Sequence, residues 1–299
     1  MQSRSRMKND GLGSARAPIT QPYDAASTLD FFRRRAIPGV EQVEGLRYCR
    51  TTRVDGEAGW LSMDIDSANG YLTVCVETAE HMDSQEVLKR AVAMFDVDAD
   101  AKEMERILGA DPVLDSLAMR GMRVPGTWNP FELGVRAILG QQVTVAAART
   151  LASRLCEKFG GHSRAGAPSG LIHTFPTAET VAEVDVGPIG MPRRRAETIR
   201  LFARAVASGE IDLDSPLGRK EAPRQLLEIP GIGKWTVGYF TMRALKEPDA
   251  FPSADIALIR AAQNLGIAHD ARSLDRAAER WRPWRAYAAV RLWGSLSAK

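Results

Sequence analysis

One segment of the chain concentrates residues able to hold an anion. Residues 226–243 read Leu-Leu-Glu-Ile-Pro-Gly-Ile-Gly-Lys-Trp-Thr-Val-Gly-Tyr-Phe-Thr-Met-Arg. An apolar helix is predicted to end at Ile229, and a second to begin near Lys234. Pro-Gly-Ile-Gly makes the turn between them. Gly231 and Gly233 can take positive φ and leave no side chain over the backbone. The first N–H groups of the second helix then point outward as an anion site. Lys234 adds positive charge beside it. A helix–hairpin–helix of this kind grips a DNA phosphate without reading base sequence. The bland alternative is an ordinary helical hairpin with a glycine turn.

Downstream the chain reads Asp249-Ala-Phe-Pro-Ser-Ala-Asp255-Ile-Ala-Leu-Ile-Arg260, with Asp255 lying 22 residues after Gly233. An Asp before Ile-Ala-Leu-Ile is a good helix N-cap. A cap carboxylate is held rigidly, which suits a structural role and a chemical one alike.

The elements that must position these residues divide into two sets. Residues 1–18 are polar, rich in Gly, Ser and Arg, and are predicted to be a disordered tail. Residues 24–36 read as a short helix capped by Asp24. Residues 46–54, 59–65 and 71–76 alternate apolar and polar, as half-buried strands do. Asn69-Gly70 is a strong hairpin signal. Helical patterns take over at 84–95, 101–109 and 111–119. Asn129-Pro130 opens a helix that stops at Gly140, and another runs from Thr144 through Phe159. Residues 160–175 read as a loop. Met191-Pro192 starts an Arg-studded helix through Val206, and 208–222 look linker-like. The fold class expected is α+β. An antiparallel domain with helices spans 19–105, and an all-helical core spans 106–299.

Composition bounds the function classes. The 299 residues are 44% hydrophobic and 26% charged, as in a globular protein of about two domains. No apolar run approaches the ~20 residues that cross a bilayer. No apolar segment follows the N-terminal charges as a secretory signal requires. A cytoplasmic chain is therefore expected. Cys49, Cys75 and Cys156 are scattered and read as buried free thiols. His81, His162, His173 and His269 lack the spacing of a zinc site. Net charge is only +3, yet 83–115 carries nine acids against four bases, and 271–299 carries seven bases against two acids. A basic face for a polyanion is one reading of that asymmetry, and ordinary solvated helix faces are the other. No Walker motif and no G-x-G-x-x-G after a strand supports a nucleotide enzyme.

The hairpin and the Asp that follows it resemble the helix–hairpin–helix DNA glycosylases. Four further segments narrow the resemblance to the AlkA-type DNA-3-methyladenine glycosylase II family. They are Gln21-Pro-Tyr-Asp24, Phe131-Glu-Leu-Gly-Val-Arg-Ala-Ile-Leu-Gly-Gln-Gln-Val-Thr-Val145, Gly190-Met-Pro-Arg-Arg-Arg-Ala196 and Glu279-Arg-Trp-Arg-Pro-Trp-Arg-Ala-Tyr-Ala288. Together they cover roughly residues 19–296.

The resemblance implies a chemistry. Such enzymes flip a damaged base out of duplex DNA and cleave its N-glycosidic bond. Departure of the base builds positive charge on the sugar. A carboxylate near C1′ stabilises that charge and orients or deprotonates water. Asp255 stands at that position. Alkylated purines such as 3-methyladenine and 7-methylguanine are already cationic and leave readily. They ask for a stacking pocket of aromatic rings. By resemblance Phe31, Trp235, Tyr239 and Trp293 line it, although core packing would also explain each ring. Trp281 and Trp284 read as core. Gln142 stands at the wedge position that fills the gap left by the flipped base, where the best-known members carry Leu.

Lyase members attack C1′ with a Lys placed just after the basic residue of the hairpin. Trp235 holds that place here, so hydrolysis without lyase activity is expected. The side chains call for no metal or cofactor. The family hairpin often holds a monovalent cation through backbone carbonyls. The expected partner is double-stranded DNA containing alkylated bases, met by a monomer. The alternatives are a non-catalytic helix–hairpin–helix module and a glycosylase/lyase for other damaged bases.

Overall fold

The computed structural model describes residues 12–54, 57–77 and 84–296. Its N-terminal part is a five-stranded antiparallel sheet of β1 (Leu12–Pro18), β2 (Glu41–Glu44), β3 (Arg47–Val54), β4 (Glu57–Asp66) and β5 (Tyr71–Glu77), in the spatial order β1-β5-β4-β3-β2. Helix α1 (Ala25–Arg35) follows β1, and α2 (Ser84–Phe95) follows β5. Asp24 caps α1 by accepting the Ser27 N–H at 2.9 Å.

Strand alternation sets the register. Leu61, Met63 and Ile65 of β4 lie opposite Val76, Val74 and Leu72 of β5, and all six are buried. Slipping one residue would turn this set to solvent. Leu29 and Phe32 of α1, with Val87, Ala91, Met94 and Phe95 of α2, join them in one apolar cluster.

The rest is helical: α3 (Ala101–Leu108), α4 (Pro112–Ser116), α5 (Pro130–Leu139), α6 (Val145–Phe159), α7 (Ala178–Glu183), α8 (Arg193–Ala207), α9 (Pro216–Glu228), α10 (Lys234–Arg243), α11 (Ile256–Asn264), α12 (Ala271–Ala278) and α13 (Arg285–Ser295). One core joins apolar residues of α5 to α10. A second joins α3 and α4 to α11, α12 and α13. No helix among the described residues is long and apolar enough to cross a membrane.

Four features differ from the expectations. Residues 12–18 are not tail but the edge strand β1, paired along its whole length with β5. Its Gly-Ser-Ala-Arg composition hides a strand whose backbone supplies the pairing. Residues 1–11 and His81 lie outside the described residues. Of residues 208–222, expected as linker, 216–222 belong to α9. Ser215 accepts the Gly218 N–H at 3.1 Å, and Pro216 occupies the first turn, where a missing N–H costs nothing. The change of core falls before 106, because Met104 and Leu108 of α3 already pack with the C-terminal helices. Cys49 and Cys156 are buried, whereas Cys75 is only half-buried.

A buried ion network ties the sheet to the helical core. Arg50 of β3 reaches Glu132 of α5 at 2.6 Å. Arg136 bonds both Glu132, at 2.6 Å, and Glu41 of β2. Glu41 also accepts the Tyr48 hydroxyl at 2.5 Å and the Ile37 N–H at 2.9 Å.

Candidate active site

The hairpin forms between α9 and α10. Gly231 has φ 95°, and a Cβ there would lie 2.1 Å from Thr198 Oγ1. That hydroxyl donates to Pro230 O at 2.9 Å, so glycine lets α8 close on the turn. Gly233 differs from expectation. Its φ is −109°, and it is the N-cap of α10 with no side-chain cap bond. A Cβ there would meet nothing within 4 Å, so the first turn of α10 faces open space. Lys234 is exposed beside it.

Helix α10 then carries Trp235 and Tyr239 one turn apart. Their rings stack at 5.6 Å with planes 17° apart. The Trp235 indole N–H donates to Asp255 Oδ2 at 2.7 Å. Asp255 is the N-cap of α11, and its Oδ1 accepts the Leu258 N–H at 2.8 Å. The same oxygen accepts the Trp293 indole N–H from α13 at 3.0 Å. Three N–H groups from three helices thus fix both carboxylate oxygens.

The fourth aromatic comes from the other domain. Phe31 of α1 is half-buried, with the Arg243 guanidinium 4.2 Å and the Arg35 guanidinium 4.0 Å from its ring centre. Arg243 also lies 5.0 Å from the Tyr239 ring and 5.8 Å from the Trp293 ring. The structure therefore gathers Phe31, Trp235, Tyr239 and Trp293 around Asp255 and Arg243. Trp281 is fully buried, as expected of core, and donates to Asp111 at 2.7 Å.

Sequence inspection passes over Arg243 and Arg35. Arg243 reads as a cation ending a helix, where the dipole favours one. Burial, aided by the nearby Arg35, lowers its pKa to about 10. Burial opposes ionisation of the Tyr239 phenol, but Arg243 and Arg35 outweigh it, and the pKa falls below the ordinary value.

Gln142 lies exposed in the turn between α5 and α6 with φ 56°, a conformation that costs a non-glycine residue energy. Its neighbour Gln141 staples that turn to the hairpin. Gln141 Nε2 donates to Gly231 O and Thr236 Oγ1, both at 3.0 Å. Arg195 of α8 donates to Gln141 O at 2.6 Å.

Of the two readings of the charge asymmetry, the structure favours ordinary paired faces at the C-terminus. Arg280 pairs with Asp111 and Arg291 with Glu105, each at 2.6 Å, so the basic and acidic stretches partly cancel. Positive charge gathers instead on α8, where a cleft of about 600 Å³ is lined by Arg193, Arg194, hairpin residue Pro230 and Arg200, the last paired with Glu197 at 2.5 Å. Among the described residues no group of three or more side chains is placed to hold a metal ion.

Comparison with known proteins also divides the chain in two. Residues 15–129 match the AlkA N-terminal domain, and residues 135–286 match the HhH-GPD superfamily base excision DNA repair protein model. The chain is 36% identical over 290 residues to the probable bifunctional transcriptional activator/DNA repair enzyme AlkA of Mycobacterium tuberculosis, covering 96% of this chain and 58% of that protein. It is 32% identical over 275 residues to DNA-3-methyladenine glycosylase 2 of Escherichia coli, covering 91% of this chain and 94% of the relative. The 3-methyladenine DNA-glycosylase structure from Archaeoglobus fulgidus superposes with a TM-score of 0.78 at 24% identity, covering 93% of this chain and 97% of the other, and so shares the fold. The hairpin and the capped Asp both fall within the second match, and the chain belongs to the HhH-GPD superfamily of base excision DNA repair proteins and carries an AlkA N-terminal domain.

Proposed function

We propose that this chain is a monofunctional DNA glycosylase that hydrolyses the N-glycosidic bond of alkylated purines in duplex DNA, the first step of base excision repair. The observation that carries this is Asp255, held by two tryptophan indoles at the edge of a four-ring aromatic cluster. The hairpin seats the DNA backbone. Exposed Lys234 and the uncapped first turn of α10 take a phosphate. Gln142 enters the duplex where the damaged base leaves it. The extruded base stacks in the cluster of Phe31, Trp235, Tyr239 and Trp293.

Breaking the C1′–N bond sends the electron pair to the base and leaves positive charge on the sugar. Asp255 stabilises that charge and takes a proton from the water that adds to C1′. Trp235 stands where a lyase would carry its Lys, so no Schiff base forms. All these side chains belong to one chain, which suits action as a monomer.

The hairpin turn also offers carbonyl oxygens. Those of Ile229, Pro230 and Gly231 each accept one hydrogen bond and keep a second lone pair. A monovalent cation at this turn belongs to the same proposal, and no step of the reaction runs through it.

Release of 3-methyladenine from duplex DNA tests the proposal, with Asp255→Asn as control. Asn also caps helices, so the fold stays. The variant is expected to lose about a hundredfold or more in rate while still binding DNA. Equal rates would leave only a binding module. A borohydride-trapped adduct would mean a lyase.

A further inference from the structure

One buried charge plays no part in that mechanism. Arg243 is 3% exposed, and its Nη1 donates to Pro125 O at 2.6 Å. Its Nε has no hydrogen-bond partner. Asp96, whose charge reaches it, is paired with Lys246 at 2.7 Å. A buried guanidinium without a carboxylate of its own is costly. Here the guanidinium lies against the faces of three rings of the aromatic cluster and is hydrogen-bonded with the Tyr239 phenol.

The geometry gives the charge a direction. Asp255 lies at one edge of the cluster and Arg243 at another. Trp293 spans them, with its indole N–H on Asp255 and its ring facing Arg243. The Trp235–Tyr239 stack spans them as well. Both charges therefore border the rings on which the base is proposed to stack.

Resting on the glycosylase function proposed above, we propose that Arg243, supported by Arg35, stabilises the departing base and sets which bases this chain excises. As the C1′–N bond breaks, its electron pair moves onto the base, and the base gains one unit of negative charge. A cationic base leaves neutral. An uncharged base leaves as an anion and then takes a proton from solvent. Positive charge appears meanwhile on the sugar, beside Asp255. The field from Arg243 to Asp255 favours this separation in both cases.

The two base classes respond differently. An uncharged base is attracted to Arg243 only as it departs, so its transition state is stabilised against free enzyme and substrate. A cationic base is repelled on entry, and departure merely relieves the repulsion. Arg243 therefore extends excision to uncharged damaged purines and weakens the hold on cationic ones. It acts through the ring wall, by charge rather than by contact.

The test compares kcat/KM of the full chain on duplexes carrying 7-methylguanine, a cationic base, or hypoxanthine, an uncharged one. Arg243→Met is expected to lower kcat/KM for hypoxanthine about tenfold, the effect of half a unit charge about 6 Å away at an effective dielectric of about 20. For 7-methylguanine kcat/KM is expected to hold or rise, with a lower KM. Release of hypoxanthine is also expected to become acid-dependent in the variant, because protonation replaces the lost charge. Arg243→Lys keeps the charge and is expected to restore hypoxanthine release.

Parallel losses on both bases overturn the proposal and mark Arg243 as packing alone. Release of 7-methylguanine but not hypoxanthine by the unmodified chain overturns it too. If circular dichroism shows Arg243→Met unfolded, Arg35→Met decides, with the same split at smaller size expected and no split fatal. Release of neither base by the unmodified chain removes the glycosylase function itself, and this proposal with it.

Discussion

Trp235 and Trp293 stand 58 residues apart in the chain and clamp one carboxylate between them. Their indole N–H groups reach Asp255 Oδ2 at 2.7 Å and Oδ1 at 3.0 Å. Each ring therefore does two jobs, presenting a face to the cluster and a donor to the Asp. Trp293→Phe separates them by keeping a ring and removing the N–H. Base release is expected to slow about tenfold or more, the worth of a hydrogen bond to a charged group. DNA binding is expected to hold. Trp235→Phe should behave alike, and the double variant should not add simply, since both donors restrain one group. Unchanged single-turnover rates in both variants would mean that the Leu258 cap bond alone orients Asp255.

These tryptophans also show where the sequence is silent. Spacing identifies the hairpin, because Pro-Gly-Ile-Gly-Lys between apolar helices dictates a turn and an exposed helix start. It identifies Asp255 as a cap from its neighbours alone. Spacing does not separate the pocket ring Trp293 from the core ring Trp281, since both recur on apolar helix faces. The resemblance to a family made that division. Arg243 stayed hidden because a cation at a helix end has an ordinary explanation. Strand β1 stayed hidden because its pairing is made by backbone, and α9 because Pro216 and Pro223 mask its helical pattern.

The two hairpin glycines should respond differently to one methyl group. Gly231→Ala meets Thr198 Oγ1 and keeps an unfavourable positive φ. It is expected to destabilise the fold by about 1–3 kcal/mol. Gly233→Ala meets no protein atom and keeps an ordinary φ. Its stability is expected to fall by only about 0.5–1 kcal/mol, because Ala is a poorer N-cap than Gly. Its methyl stands in the open space before the first turn of α10, where the phosphate is proposed to sit. Duplex affinity is therefore expected to fall tenfold or more. Thermal melts and DNA titrations of both variants check the pair. Parent-like duplex affinity in Gly233→Ala would remove the phosphate from this turn.

Glu41 is buried, which alone would raise its pKa, but the Arg136 and Arg50 guanidiniums and the Tyr48 hydroxyl hold it below the ordinary value of 4.5. A depressed carboxylate contributes stability that is present above its unfolded pKa. That stability is lost as pH falls through the folded value. The melting temperature of the parent should therefore fall steeply on acidification below about pH 4.5. Glu41→Gln should lose part of that slope and start from a lower melting temperature at pH 7. Removing one member of a buried ion network costs about 3–5 kcal/mol. The effect should extend to catalysis. Arg136 donates to the Arg35 carbonyl at 3.3 Å and Glu41 accepts the Ile37 N–H, so the network anchors the end of α1. That helix delivers Phe31 and Arg35 to the aromatic cluster. Glu41→Gln is thus expected to raise KM for damaged duplex at a temperature where the variant is folded. An unchanged acid slope would show that Glu41 contributes nothing to stability through its charge. An unchanged KM would show that α1 is held by its apolar contacts with Tyr48 and Phe95 instead.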